Sequence, residues 1–127
     1  MPQTASGTFN VTLAPLDIEG ELMGRRSIDK TFHGALEGVS TGQMLSAGTT
    51  TKGSAVYVAI ERVRGQLDGR NGTFVLHHTG VMDRGVPHLT LLVAPDSGTE
   101  ALEGLTGSMT IAIDEGCLLY TSDAADE

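Results

Sequence analysis

The sequence predicts an all-β fold, an antiparallel eight-stranded barrel with a small lumen. Three observations predict it. Seventeen of the 127 residues are glycine, and glycine pairs with Asp, Asn or His at regular intervals as turn chemistry. Between these turns lie runs rich in Val, Ile, Leu, Thr, Tyr and Phe, the residues that fit a pleated strand. Long helix-formers do not follow one another in sequence, and connections are short, as in a meander closed on itself.

The strands fall near residues 5–14, 24–33, 35–47, 53–66, 71–80, 85–95, 103–114 and 116–121. Glu19-Gly20 follows the first, inside an acidic loop from Pro15 to Met23 placed to lie over one mouth. His33-Gly34 divides the second strand from the third, and Gly48 ends the third. Asp68-Gly69 and Asn71-Gly72 supply positive φ for a tight hairpin between the fourth and fifth. Asp83 to Gly85 and Pro95 to Gly98 bound the sixth. Gly7, Gly38, Gly65 and Gly107 stand inside strands, where closed sheets bend. Closure removes exposed strand edges, and eight strands leave room for one small ligand.

Size and composition limit the functions open to this chain. Residues 1–116 form one domain with one modest core, filled by Val, Leu, Ile, Ala and Met because there are three Phe, two Tyr and no Trp. No segment approaches the roughly 20 apolar residues of a membrane-spanning helix. The N-terminus lacks the basic start and apolar core of a signal peptide, which places the protein in the cytoplasm. A net charge of −8 opposes nucleic-acid binding, which needs a basic face. One cysteine forms no intrachain disulfide framework.

Residues 117–127, CLLYTSDAADE, read as a non-native tail. They resemble the in-frame translation of a transposase-type sequencing adapter, which implies a gene recovered from environmental DNA. Setting them aside removes Asp123, Asp126 and Glu127, so the net charge moves from −8 to −5. Leu118 to Tyr120 alternate well enough to pair as a strand regardless of origin. No function is assigned to Cys117 or Tyr120.

The segment richest in chemistry is AVYVAIERVRGQLDGRNGTFVLHH, residues 55–78. Side chains alternate across a strand. Tyr57, Ala59, Glu61 and Val63 therefore share one face, opposite Val56, Val58, Ile60 and Arg62. On the return strand Phe74, Leu76 and His78 share a face. Glu61, His78 and Tyr57 are the candidate catalytic residues, with Ala59, Val63, Phe74 and Leu76 lining the site. Apolar walls would raise the Glu61 pKa and make it an acid or base near neutrality. The alternative is an internal structural glutamate paired with Tyr57 or an arginine. His78 is either its acid–base partner or a rim residue. Tyr57 either offers its hydroxyl to a ligand or packs in the core.

Other residues carry less. His77 and His78 face opposite ways, and His33 and His88 lie on other strands, so no metal-ligand spacing emerges. Arg62 and Arg70 fit outward or turn positions, although a change of strand parity would bring Arg62 inside. Met44, Met82 and Met109 are packing residues. The segment from Gly48 to Gly53 has phosphate-loop glycine spacing, but Ser54-Ala55 stands where Lys and Ser/Thr are required.

The sequence resembles a small bacterial family of unknown function with the allene oxide cyclase-like barrel fold. ASGTF at 5–9, KTFHG at 30–34, YVAIERVRGQLDGRNGTFVLHHTG at 57–80 and SGTEALEGLTG at 97–107 carry the resemblance, which runs from Ala5 to Gly116. Two features depart from the family: His33-Gly34 replaces a common Gly-Asp, and the adapter-like tail replaces the final strand's His-x-Tyr-like pattern. The resemblance implies a barrel with a lumen and assigns no activity.

Three functional readings follow. One is a cofactor-independent isomerase, cyclase or lyase in which a lumen carboxylate moves a proton on a small hydrophobic or amphipathic substrate. The second is a non-catalytic carrier of such a molecule. The third is a filled barrel with a structural, oligomeric role. The apolar stripe Val56, Val58 and Ile60 points to a homo-oligomer, most simply a dimer.

Overall fold

The computed structural model describes residues 2–16, 23–114 and 117–125, with side chains described from Ala5 to Ile111 outside the loop at 17–22. The fold is all-β and antiparallel. Its strands are β1 (Pro2–Leu16), β2 (Met23–Gly34), β3 (Leu36–Gly48), β4 (Ala55–Leu67), β5 (Arg70–Asp83), β6 (Val86–Val93) and β7 (Gly107–Asp114). Each is hydrogen-bonded to the next, and together they make a curled sheet. A further extended segment, β8 (Cys117–Ala125), pairs antiparallel with β7 and with β1. Among the described residues a single 3-10 turn, Glu100–Leu102, interrupts the β structure. No helix among the described residues is long and apolar enough to cross a membrane.

The turns explain the register. Asp68 and Gly69 both take positive φ, 49° and 83°, and join Leu67 to Arg70 in a two-residue hairpin. Arg84 and Gly85 do the same between β5 and β6, at 48° and 89°. Asn71-Gly72, also expected to serve the first turn, is instead part of β5 and pairs with Gln66 and Gly65. Gly72 has a different task. A Cβ there would collide with the Thr99 carbonyl and meet Leu102 Cγ at 3.1 Å. Its bare backbone lets the 3-10 turn press against β5.

That turn plugs one end of the curl. Leu102 and Leu105 are buried against Phe74, Leu67, Leu36 and Phe32, forming the apolar core. The seventh strand was expected from residue 103 and begins at Gly107. The cause is burial: Leu102 and Leu105 gain more by packing under the sheet than by extending it. Thr99 fixes the plug by accepting from the Thr73 amide at 3.0 Å through its hydroxyl.

The opposite end is open. The β6 residues Val86 to Thr90 are exposed on both faces, and β6 pairs with β7 only at Leu91↔Met109 and Leu92↔Ser108. The wall is therefore continuous from β1 to β6 and thin at the β6–β7 seam. The loop at 15–23, expected to lie over a mouth, falls largely outside the described residues. So do the side chains of 117–127, the segment set apart as a tail; its backbone pairing extends from Cys117 through Ala125.

Candidate functional site

The inward face of β4 carries Tyr57, Ala59, Glu61 and Val63, as alternation requires. Ala59, Glu61 and Val63 are buried and Tyr57 is half-buried. On β5, Phe74, Leu76 and His78 point the same way and are buried. Val56, Val58, Ile60 and Arg62 face outward and are exposed, so Arg62 is not a lumen residue. Cross-strand rows order these side chains along the curl. Val63↔Phe74 lies nearest the plug, followed by Glu61↔Leu76, Ala59↔His78 and Tyr57↔Gly80 toward the open mouth.

Glu61 is fully buried and is held by three side chains from three different strands. Lys30 Nζ of β2 donates to Oε2 at 2.7 Å. His78 Nε2 of β5 meets the same oxygen at 2.5 Å. Ser40 Oγ of β3 donates to Oε1 at 2.6 Å. Strand pairing produces this convergence. Lys30 lies directly opposite Ser40, and Gly42 lies directly opposite Glu61. Gly42 leaves that position without a side chain, so Ser40 and Lys30 reach the carboxylate diagonally.

Lys30 is itself enclosed. It is 6% exposed, and its ammonium stands 4.8 Å from the Phe9 ring centroid and 6.0 Å from that of Phe32. The ring faces attract the cation where water is absent. Its alternation with Ile28 and Phe32, both buried, was visible in the sequence as an apolar–Lys–apolar pattern at period two. That pattern, and the small inward residues Gly38, Ser40 and Gly42 of β3, are the signals that could have identified Lys30 and Ser40. The sequence reading singled out neither.

The environment of Glu61 reverses the expected pKa direction. Burial pushes the carboxyl up. The His78 hydrogen bond, the Lys30 charge, and the hydrogen bonds from Lys30 and Ser40 outweigh burial and bring it from 4.5 down to about 2. Apolar walls alone would have raised it; the Lys30 ammonium, which no local pattern places beside Glu61, helps to reverse the direction. Glu61 is therefore an ionised anchor at neutral pH and not a free acid or base.

An ionised carboxylate only accepts hydrogen bonds. The proton between Glu61 and His78 therefore sits on His78 Nε2. His78 is 5% exposed, and its other ring nitrogen, Nδ1, is buried with no hydrogen-bond partner among the described residues. In the neutral ring that atom carries a lone pair. Tyr57 stands edge-on to His78, with ring centroids 5.8 Å apart and planes at 88°. Burial, then the Glu61 charge, raises the Tyr57 pKa and keeps the phenol protonated. The Tyr57 ring lies where a side chain of Gly80 would be: a Cβ on Gly80 would overlap the ring.

Above this row a cavity of about 380 Å³ opens at the mouth, lined by Tyr57, Gly80, Met44, Ser46, Met82 and Arg26 among others. Met44 and Met82 thus line the cavity, and Met109 alone of the three packs in the core. A larger groove, about 720 Å³, lies on the outside of the sheet between Leu45, Val58, Ile60, Arg62, Val75 and His77. Glu61 lines neither space. His33 is exposed and lies 3.8 Å from Glu37. Among the described residues no three His, Cys, Asp or Glu side chains converge as metal ligands.

The fold and site define a class: a curled antiparallel β-barrel-like protein with a charged cluster buried between an apolar plug and an open mouth. The chain belongs to a family described as "Protein of unknown function (DUF3224)", whose sequence model matches residues 5–123. It is similar to a crystallised protein of unknown function from that family, from Shewanella oneidensis MR-1. The two are 45% identical, superpose with a TM-score of 0.95, and cover 100% of this chain and 98% of the other. No curated protein matches the chain.

The depressed Glu61 pKa gives a pH dependence of defined sign. The unfolded carboxyl titrates near 4.5 and the folded one near 2. The stabilisation is thus complete above pH 4.5 and is lost as pH falls toward 2, an effect on the order of 3 kcal/mol. Glu61→Gln should cost about 1–3 kcal/mol at pH 7 and flatten the decline below pH 4.5. Urea unfolding of both proteins from pH 2 to 7 checks this. Parallel pH curves would show that Glu61 does not titrate as described.

Proposed function

We propose that the protein is a small-molecule-binding barrel that performs cofactor-independent proton transfer, with His78 as the acid–base group. In this reading β8 completes an eight-stranded closed barrel, and the mouth cavity is the entrance to its lumen. The observation that carries the reading is His78 Nδ1. It is a buried, unpartnered ring nitrogen, on a histidine oriented by an ionised carboxylate and lying one row below the cavity. Buried polar atoms without partners are uncommon and call for an explanation. A carboxylate fixing one nitrogen so that the other can exchange a proton is a recurrent acid–base arrangement.

The roles divide accordingly. Glu61 positions His78, and Lys30 and Ser40 hold Glu61. Tyr57, protonated at neutrality, donates to a ligand oxygen. His78 Nδ1 takes a proton from the carbon next to a carbonyl, the electron pair moves onto the oxygen facing Tyr57, and the proton returns to a different carbon. The product is an isomer, so no further reagent enters. Met44, Met82, Ala47 and Ala55 supply the apolar wall of the cavity; of the residues expected to line it, Ala59 is buried opposite His78 and Val63, Phe74 and Leu76 pack in the core beneath the cluster. The carrier reading uses the same cavity without the proton transfer.

We also propose that the protein is a dimer through the outer face of β4. Val56, Val58 and Ile60 are 49%, 52% and 62% exposed and adjoin the apolar side of the outer groove. A contiguous apolar patch of this kind favours burial against a second copy. Light scattering at micromolar concentration should return the dimer mass. A monomer would contradict it.

The chemistry is tested by hydrogen–deuterium exchange at carbon. A small cyclic enone is incubated with the protein in D2O, and label uptake next to the carbonyl is followed by NMR. Wild type should accelerate uptake. His78→Gln should lose at least about 100-fold of that rate, within the range for a removed acid–base group, while still perturbing the same cavity resonances. Binding without accelerated uptake in the wild type would favour the carrier. Neither binding nor uptake with any enone would overturn the reading.

A further inference from the structure

We infer that the mouth cavity takes a small apolar carboxylate, with Arg26 as the residue that recognises the anion. The inference rests on the small-molecule reading above and names the class of ligand for that same cavity.

Arg26 shares strand parity with Ile28, Lys30 and Phe32, the three buried inward residues of β2. It lies directly opposite Met44, and both line the cavity. Unlike Lys30, which is neutralised by Glu61, Arg26 has no ion pair with a described residue. Asp29 has the opposite parity on β2 and is exposed. Among the described residues no carboxylate lines the cavity. Its other polar side chains are hydroxyls, Ser46 and Tyr57, which stand opposite one another in register. The rest of the lining is apolar: Met44, Met82, Ala47, Ala55 and Val56.

The chemistry of the ligand follows from this division. A guanidinium binds a carboxylate through two parallel hydrogen bonds. The hydroxyls of Ser46 and Tyr57, one cross-strand row nearer the mouth, offer further donors, and the methionines accept an unbranched or irregular apolar body. A volume of about 380 Å³ is near the lower end for ligand cavities, which limits the ligand to a small one. The chain as a whole is acidic, at −8, so its overall field does not gather anions. Recognition must come from a cation at the cavity itself, and Arg26 is the one among its described lining residues.

The test uses octanoate and 1-octanol, which share an apolar body and differ in charge. Each is titrated into wild type, Arg26→Gln and Arg62→Gln, following amide resonances of Tyr57, Gly80 and Met82 by NMR. Arg26 is an exposed rim residue, so its replacement leaves the core untouched. Octanoate should bind wild type more tightly than octanol. Arg26→Gln should weaken octanoate roughly 10- to 100-fold, the range of one charged hydrogen-bonded contact, and leave octanol unchanged. Arg62→Gln, on the outer face, should change neither. Equal affinity for the two ligands, or loss of octanoate with Arg62→Gln alone, would overturn the anion assignment while octanol binding kept the cavity reading. If neither ligand moved these resonances, the cavity reading itself would fall with it.

Discussion

Everything in the interior is arranged around one buried negative charge, the Glu61 carboxylate. An isolated carboxylate in an apolar interior would lose far more hydration than packing returns, and would protonate instead. Here it stays ionised because Lys30, His78 and Ser40 reach it from the two strands before β4 and the one after. Those residues can meet only in the register the hairpins impose. A one-residue slip in β2, β3 or β5 would turn a donor to the solvent face and leave the charge alone. The cluster thus favours a single register through the cost of every other one.

Such a cluster is not the cheapest way to fill a barrel. Ion pairs taken out of water return little net stability, and apolar residues of similar volume often do as well or better. The lower half of this sheet follows the cheaper plan, with Leu102 and Leu105 closing it over Phe32, Leu36, Leu67 and Phe74. The charged row stands where that apolar filling ends and the mouth cavity begins. This position is what the proposed function rests on: a nitrogen held by an ionised carboxylate stands one cross-strand row below the residues that line the mouth cavity.

Much of this was legible in the sequence, and the omissions have physical causes. Period-two alternation was enough to put Tyr57, Ala59, Glu61 and Val63 on one face and Phe74, Leu76 and His78 on its partner. Asp68-Gly69 marked its turn because both positions need positive φ. Lys30 and Ser40 were missed because their importance comes from strand pairing across 31 and 21 residues, which no local pattern encodes. Without Lys30 the sign of the Glu61 shift came out wrong, and Glu61 took the proton-transfer role that the proposed mechanism assigns to His78. The 103–106 segment was read as strand because its composition permits one; only the vacancy at Gly72 reveals the plug. Arg26 escaped notice because it shares its parity on the second strand with Ile28, Lys30 and Phe32, and parity alone does not say which row meets the mouth.

The central claim is that Glu61 is a buried, ionised anchor which fixes His78 with the proton on Nε2. Carboxyl ¹³C shifts of Glu61, followed from pH 7 to pH 2 on protein labelled at that position, test it most directly. The account predicts an ionised signal that persists well below pH 4.5, with a hydrogen-bond coupling that shows His78 Nε2 donating to that carboxylate. A carboxyl that titrates at or above 4.5 would contradict it.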